Sequence, residues 1–409
     1  MVVTGAGVVS ALGSTVAELW QRHPAGASGR SYHPASSLSE RPSSTIGLAH
    51  NFDPMDFVPF ERLLRMGRST QMAIAAGLMA LREAELGGSL PVDAPVCLGT
   101  SFATIENVSL DSIWYGDGGQ GERPLYARDL STEVAQVLET QAPSETIVQG
   151  CSASLTAIGH GVDRIRNGAA DVVLAGGTDA PLVPLIARQL AAEGWLAEDQ
   201  GGVLRSLLRP FDQLHCGGVM AEGAGCVVLE ELTHAQRRGA PVLAELVGWR
   251  TTRYGDGTPG GPEAVEGQTR ALQGVLRESG WETASVDYVQ LTGMGVAAAD
   301  QAEVEAVERV LDPTTRRACI GTVTGALGHT FGASGVLQLI GALLALKHQV
   351  IPPIANHIAA VHGCDLDFVA LRARPWAVHQ VMVLSSGLGG GHTAMGIRSM
   401  GEHPRSVEQ

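Results

Sequence analysis

The segment from residue 147 to 177, IVQGCSASLTAIGHGVDRIRNGAADVVLAGG, constrains the fold more than any other part of the chain. Its apolar residues recur at the three- and four-residue intervals of one buried helix face, namely Leu155, Ile158, Val162 and Ile165. Asn167-Gly168 then supplies a helix stop, and residues 171–175 form an apolar strand that leads into two glycines. The pattern predicts a strand–helix–strand unit in which Cys151 lies just before the helix begins.

The same alternation of strands and buried helices runs along the whole chain. The sequence predicts a strand, a glycine turn and a helix at its start, a core helix over 68–86, a buried strand over 94–101, and further strand and helix units over 221–240, 286–311, 319–346 and 381–397. A content of 44% hydrophobic and 17% charged residues is typical of a compact globular protein. At 409 residues the chain is longer than a domain with a single hydrophobic core usually is. We therefore expect an α/β protein with two halves, residues 1–246 and 247–409.

Charge and lysine content exclude several classes of function. A net charge of -14 argues against binding to nucleic acid or to an anionic membrane, which needs clustered basic side chains. Gly5 and Gly7 near the start are by themselves weak evidence for a nucleotide loop. A short-chain dehydrogenase also needs a Tyr-xxx-Lys pair, but Lys347 is the only lysine and Leu343 stands four residues before it. The dehydrogenase reading is thereby excluded.

The sequence points to no membrane, metal or cofactor. The chain opens without a charged and then apolar leader, and the apolar stretch from Val336 to Leu346 is too short to span a bilayer. The six cysteines have no CxxC or CxxH spacing, and we expect no metal at His215-Cys216 either. We expect a cytoplasmic protein with no cofactor.

Cys151 is the strongest candidate for a reactive group. The unsatisfied N–H groups of a helix N-terminus stabilise a thiolate, lower its pKa and can hold the oxyanion formed on a thioester. The alternative is an inert buried cysteine, which is the more common case for any single cysteine. The small neighbours Gly150, Ser152, Ala153 and Ser154 leave room for a substrate and favour a functional role.

Several blocks, in order and spacing, resemble the β-ketoacyl-ACP synthase family from Val2 to about Ile397. They are the segment around Cys151, RPFD…AEGAGCVVLEELTHAQRRGA, GHTFGASGVLQLIGALLALKHQVIPP and GCDLDFVA. The resemblance implies a thiolase-like, layered αβαβα fold of two related halves, the first with the cysteine and the second with a histidine. It also implies a dimer in which each subunit completes the other's pocket, and a substrate carried on acyl carrier protein.

The resemblance assigns Cys151 to the acyl-accepting cysteine and His329 to the second of two catalytic histidines. Thr292 stands where the first histidine belongs, and Thr324 replaces the family lysine. In the late glycine turn Leu388 takes the place of a gating phenylalanine, and Phe102 is a candidate tunnel residue near the dimer interface. Since imidazole donors stabilise the enolate formed on decarboxylation, and loss of one such donor costs about 10²–10³ in rate, we expect weak condensation at most.

Two functions stay open at this point. The chain resembles the chain-length-factor type of subunit, which pairs with a complete ketosynthase as a heterodimer and shapes the tunnel in which a polyketide or polyene chain grows. The alternative is an acyltransferase or thioesterase that acts through Cys151 and His329 without decarboxylation; a scaffold without any enzyme activity would carry no acyl-cysteine. We expect His160 to be a packed helix residue, and the role of His392 is open.

Overall fold

The computed structural model describes residues 1–29, 31–33, 44–103, 105, 130–197, 208–255, 257–258, 260–311, 318–361 and 364–401. For residues 31–33 and 44 it describes the backbone alone.

The strands of the described residues form one eleven-stranded sheet and two small two-stranded sheets. The large sheet has the order β12-β10-β9-β14-β15-β8-β1-β7-β6-β4-β5, and the small ones pair β11 with β13 and β2 with β3. The strands are β1 (Val2–Val9), β2 (Ser31–His33), β3 (Ser44–Ile46), β4 (Val96–Thr100), β5 (Glu145–Val148), β6 (Val172–Asp179), β7 (Gly223–Glu230), β8 (Ala244–Arg253), β9 (Tyr288–Gln290), β10 (Cys319–Gly321), β11 (Val350–Ile351), β12 (Asp367–Phe368), β13 (Arg374–Pro375), β14 (Gln380–Ser386) and β15 (Gly391–Arg398).

Helices cover both faces of this sheet. They are α1 (Val16–Arg22), α2 (Phe60–Leu63), α3 (Arg68–Glu83), α4 (Leu130–Val137), α5 (Ala153–Arg166), α6 (Pro184–Ala192), α7 (Leu232–Arg237), α8 (Gly261–Ser279), α9 (Ala297–Val310), α10 (Thr324–Leu327) and α11 (Ser334–His348). Single 3-10 turns precede α5 and α11, at Gly150–Ser152 and Phe331–Ala333. The predicted helices and strands on either side of Cys151 are confirmed, and α5 ends at Asn167 with Gly168 at a positive φ of 68°.

The strand order repeats in the two halves of the chain. Numbered within its own half, each set of five strands has the order 3-2-4-5-1: β5-β4-β6-β7-β1 in the first half and β10-β9-β14-β15-β8 in the second, with β12 added at the outer edge. Helices α5 and α11 pack on each other in the middle layer, while α3 and α8 cover the outer faces. The predicted layered fold of two related halves is thereby confirmed. The boundary at residues 246/247 stays a prediction, and it falls inside β8.

The glycines near the start differ from the expected turn, because β1 runs straight through Gly5 and Gly7. A Cβ atom at Gly7 would lie 2.0 Å from the carbonyl oxygen of Ala76, and one at Gly5 would lie 2.2 Å from that of Ala80. Both carbonyls belong to α3, whose backbone therefore rests directly on the strand. The glycines are required for this close approach of helix and sheet and not for a nucleotide loop.

Helix α11 is longer and more apolar than the sequence analysis assumed. Together with the turn before it, Phe331–His348 has the length and the mean hydropathy (1.3) of a membrane span, so length does not exclude one. However, 89% of this segment is buried inside the protein, as in the core helix of a soluble domain. Its place in the middle layer brings the Phe331 turn beside Cys151.

Candidate active site

Cys151 and His329 meet at the centre of the molecule, each from one half of the chain. The 3-10 turn that holds Cys151 follows β5 and leads into α5, and His329 stands between α10 and the Phe331 turn. His329 Nε2 lies 3.0 Å from Cys151 Sγ, within hydrogen-bonding distance. The backbone of His329 is bonded on both sides to the segment before β7, to Val219 O (2.7 Å) and from Ala221 N (2.8 Å). The two retained family positions thus form a pair.

Burial makes this a pair of neutral groups. Cys151 is 1% exposed and His329 is 6% exposed. Burial raises the pKa of the Cys151 thiol to about 12, although the backbone N–H groups of Leu388 and of Cys151 itself act in the opposite direction. Burial also lowers the pKa of His329 to about 4, and its Nδ1 has no hydrogen-bond partner among the described residues. The expectation of a lowered thiol pKa is wrong for this closed state, because desolvation outweighs the N–H donors of the helix start.

Aromatic and aliphatic side chains close the space beside the pair. The Phe331 ring meets the His329 ring edge to face at 4.7 Å and the Phe102 ring at 5.1 Å. Leu388 packs in the same apolar cluster as Cys151 and Met220. The remaining cavity measures about 20 Å³, and its described walls are apolar or aromatic except for His329. The space beside Cys151 is therefore narrow and apolar.

Thr292 and Thr324 lie together, as the resemblance implies for the residues whose places they take. Both are buried, and the Thr324 hydroxyl donates to the Thr292 carbonyl oxygen at 2.6 Å. The Thr292 hydroxyl accepts from Ser386 N at 2.9 Å and lies 3.5 Å from Leu384 O. Each hydroxyl is thus engaged with the backbone of the protein.

Two acidic residues in α9, which sequence reasoning missed, support this part of the site. Glu303 accepts from the N–H groups of Thr292 (3.2 Å) and Gly293 (2.9 Å), and Asp300 accepts from those of Phe211 (2.9 Å) and Gly295 (3.2 Å). Burial raises the pKa of Asp300 to about 8 and that of Glu303 to about 7. In the described part of the chain no basic side chain forms an ion pair with Glu303. The sequence did contain a signal for them, because two acidic residues three positions apart lie on the otherwise apolar face of a predicted helix.

A third buried carboxyl, Asp179 at the end of β6, was also missed. It is 0% exposed, and it accepts hydrogen bonds from the segment that carries Phe102 and from the turn that carries Phe331. Burial raises its pKa to about 6, while its four donors act in the opposite direction. An aspartate directly after the Gly-Gly-Thr strand end was the only sequence signal.

Two further histidines, His160 and His392, lie apart from this pair. His160 is half-exposed on α5, with Nδ1 3.5 Å from Glu145 and its ring against Trp249. His392 is buried in β15, and neither of its ring nitrogens has a hydrogen-bond partner in the part of the chain that the structure describes. Among the described residues no three His, Cys, Asp or Glu side chains are grouped so that they could hold a metal ion.

A layered α/β fold of two like halves, with a cysteine at the start of the central helix of one half and a histidine from the other half against it, is the arrangement of the thiolase fold. Residues 1–235 match the β-ketoacyl synthase N-terminal domain, and residues 243–357 match the C-terminal domain. The chain belongs to the β-ketoacyl synthase family.

Relatives and solved structures agree over nearly the full length. The polyketide β-ketoacyl synthase 1 of Streptomyces halstedii is 32% identical over 97% of each chain. The 3-oxoacyl-[acyl-carrier-protein] synthase 2 of Coxiella burnetii is 30% identical over 95% of this chain and 96% of its own. The ishigamide ketosynthase/chain length factor has a TM-score of 0.86 at 29% identity, covering 98% of this chain and 99% of the other. A type II polyketide ketosynthase bound to its acyl carrier protein and a hexaketide has a TM-score of 0.87 at 26% identity, with the same coverage.

Proposed function

We propose that this chain is a chain-length-factor-like subunit of a type II polyketide or polyene synthase. It pairs with a complete ketosynthase, contributes to the tunnel in which the acyl chain grows, and does not decarboxylate the extender unit itself. The ketosynthase scaffold is intact, whereas the residues that stabilise the decarboxylation transition state in the family are replaced.

The bonded threonine pair is the observation that carries this proposal. Decarboxylation of a malonyl thioester builds negative charge on the thioester oxygen, and preorganised donors must be free to meet it. Here the Thr324 hydroxyl donates to Thr292 O, and the Thr292 hydroxyl is bonded to the β14 backbone. The proton of the Thr324 hydroxyl is thus bonded to the backbone, and the Thr292 hydroxyl accepts from Ser386 N and is a shorter-reaching donor than an imidazole. Glu303 has no basic partner among the described residues.

The edge of the sheet supports association with a second subunit. Strand β5 ends the described eleven-stranded sheet, next to Cys151, and its Val148 side chain is 66% exposed. Exposed apolar residues on an edge strand are a recurrent site for strand addition from another chain. Two of the similar structures are a ketosynthase/chain length factor and a ketosynthase in complex with its acyl carrier protein. We propose the same two kinds of partner for this chain. Six free thiols fit the reducing cytoplasm that we propose as its location.

Co-expression with a complete ketosynthase from the same source tests the pairing, with native mass measurement of the purified complex. A one-to-one heterodimer is the expected result, and Phe102→Ala in that complex should lengthen the product while yield is maintained. A stable homodimer that forms no complex with the co-expressed ketosynthase would contradict the proposal.

The Cys151–His329 contact favours a second candidate, acyl transfer or thioester hydrolysis without decarboxylation. In this reaction Sγ attacks the thioester carbonyl while its proton passes to His329 Nε2, the carrier thiol leaves with that proton, and a second acceptor or water then takes the acyl group. The distance of 3.0 Å permits the proton transfer.

Cys151→Ala in the intact heterodimer separates the two candidates, with Cys226→Ala as control, since Cys226 is buried in β7 outside the pocket. The chain-length-factor role predicts little change in product yield for either variant. Loss of product from Cys151→Ala alone, together with acyl-Cys151 detected by mass spectrometry in the unsubstituted protein, would decide for acyl transfer.

A further inference from the structure

The carboxylate of Asp179 bonds to two chain segments whose aromatic side chains pack beside Cys151. Its Oδ1 accepts from the Thr100 hydroxyl at 2.6 Å and from Phe102 N at 3.1 Å. Its Oδ2 accepts from Ser101 N at 2.9 Å and from Gly332 N at 2.5 Å. One oxygen therefore holds the end of β4 alone, and the other joins that segment to the turn before α11.

Both segments carry an aromatic side chain of the apolar cluster that contains Cys151. Phe102 follows directly after Ser101, and Phe331 directly precedes Gly332 in the turn beside His329. The Phe331 backbone has a positive φ of 47°, which is unfavourable for a bulky residue and persists only where its surroundings hold it. A Cβ atom at Gly332 would lie 2.5 Å from Asp179 Oδ2 and from Ser101 N, so the two segments touch at this point.

We propose that Asp179 is a positioning residue that sets how long an acyl chain fits beside Cys151, by holding Phe102 and Phe331 edge to face in the apolar cluster around this cysteine. The carboxylate acts on the shape of the site through these two rings, of which Phe331 contacts the His329 ring, and its charge also acts on the Cys151 thiol through space. Asn has the same shape as Asp but only one acceptor oxygen. In Asp179→Asn the amide oxygen can accept from the donors that bond to one carboxylate oxygen now, and the N–H₂ group must then face the donors that bond to the other. This role goes beyond the proposed function and applies whether or not Cys151 carries an acyl group in the assembly.

A pair of alkylating reagents measures the cavity directly. Rates of labelling at Cys151 are determined by peptide mass spectrometry with iodoacetamide and with N-octyl iodoacetamide. Both reagents attack the Cys151 thiolate, so the fraction of Cys151 that is ionised cancels in the ratio of the two rates. In the unsubstituted protein the long reagent should be strongly disfavoured. In Asp179→Asn the ratio should shift toward the long reagent about tenfold, the size expected when a hydrogen bond to a buried charged group is lost.

Glu230→Gln is the matched control, because it also converts a fully buried carboxyl to an amide but at the opposite end of the β6–β7 ladder. Labelling of the buried Cys226 in the same samples reports general unfolding. Phe331→Ala should admit the long reagent by itself. Asp179→Asn added to it should shift the ratio by less than it does alone, because one of the two rings that Asp179 holds is then absent.

Two results would overturn the inference. One is a ratio in folded Asp179→Asn equal to that of the unsubstituted protein. The other is an equal shift in Glu230→Gln, or a shift that appears only together with labelling of Cys226, since the effect would then be loss of stability and not repositioning of the two rings.

Discussion

At the scale of single residues, the site combines groups that fit the family's chemistry with groups that do not. Cys151 and His329 are in contact, and Glu303 still binds the backbone N–H groups of Thr292 and Gly293. The family resemblance implies an imidazole and a cation where Thr292 and Thr324 stand. Burial raises the pKa of Glu303 to about 7, while its hydrogen bonds from Thr292 and Gly293 act in the opposite direction.

Restoring the two family residues should restore part of the lost step. We expect the purified chain to release CO₂ from malonyl-carrier protein at background rate. Thr292→His with Thr324→Lys should raise that rate about 10-fold to 10³-fold, because an imidazole donor and an organising charge return beside Glu303. Radiometric CO₂ release measures it, with Thr324→Lys alone as control. A folded double variant without any gain, or fast turnover by the unsubstituted chain, would contradict the prediction.

The buried Asp300 should make stability fall as the pH rises above 6.5. Its pKa is raised from 3.8 to about 8, so the native state keeps a proton that the unfolded chain has released. Three buried histidines, at positions 23, 329 and 392, have a pKa lowered from 6.5 to about 4. They make stability rise with pH, but only below pH 6.5, where the histidines of the unfolded chain are protonated. In the comparison with the unsubstituted protein the histidines cancel, so Asp300→Asn should gain stability as the pH rises from about 4 to about 8, by at most about 1.4 kcal/mol per pH unit.

Urea unfolding at several pH values measures this difference. Asp171→Asn, which removes an exposed carboxyl on the loop before β6, serves as control and should run parallel to the unsubstituted protein. Parallel curves for Asp300→Asn as well would show that Asp300 is ionised in the native state and would contradict the prediction.

At the scale of helices and strands, close packing between α3 and β1 decides which residues the first strand can contain. The backbone carbonyls of α3 lie where side chains of Gly5 and Gly7 would be. A Cβ atom at either glycine would meet backbone atoms of α3. These atoms cannot move aside as the end of a flexible side chain could.

Gly7→Ala should therefore destabilise the protein by at least about 1–3 kcal/mol, the usual effect of overpacking a core. Gly88→Ala is the control, since a Cβ atom there has nothing within 4 Å. It should change the free energy of unfolding by less than about 0.5 kcal/mol. Thermal or urea unfolding of both variants measures the effect, and equal stability of the two would show that α3 can move away from β1 without penalty.

At the scale of the whole molecule, the large sheet ends at β5, one turn away from Cys151. A second subunit added at this edge would lie against the segment that leads into the reactive turn. A subunit bound at β5 would therefore lie close to Cys151, as expected if the pocket of one subunit is completed by the other.

Val148→Arg should weaken the association with the ketosynthase at least about tenfold, because a charge would be buried at the centre of the interface. Leu371→Arg is the control, as Leu371 is 72% exposed and far from β5 in the sequence and the sheet. Native mass measurement over a dilution series gives both affinities. Unchanged pairing in Val148→Arg would place the interface elsewhere.

The sequence by itself determined the alternation of strands and helices, the place of Cys151 before a helix and the presence of threonine at positions 292 and 324. These depend on local spacing and on which residue stands at a matched position. Only the tertiary structure decided that the thiol is neutral, that Gly5 and Gly7 lie inside a strand, and that Asp179, Asp300, Glu303 and Phe331 belong to the site. Burial, close approach of backbones and carboxyl groups that bond to distant segments arise between parts of the chain far apart in sequence, and local patterns carry no measure of them.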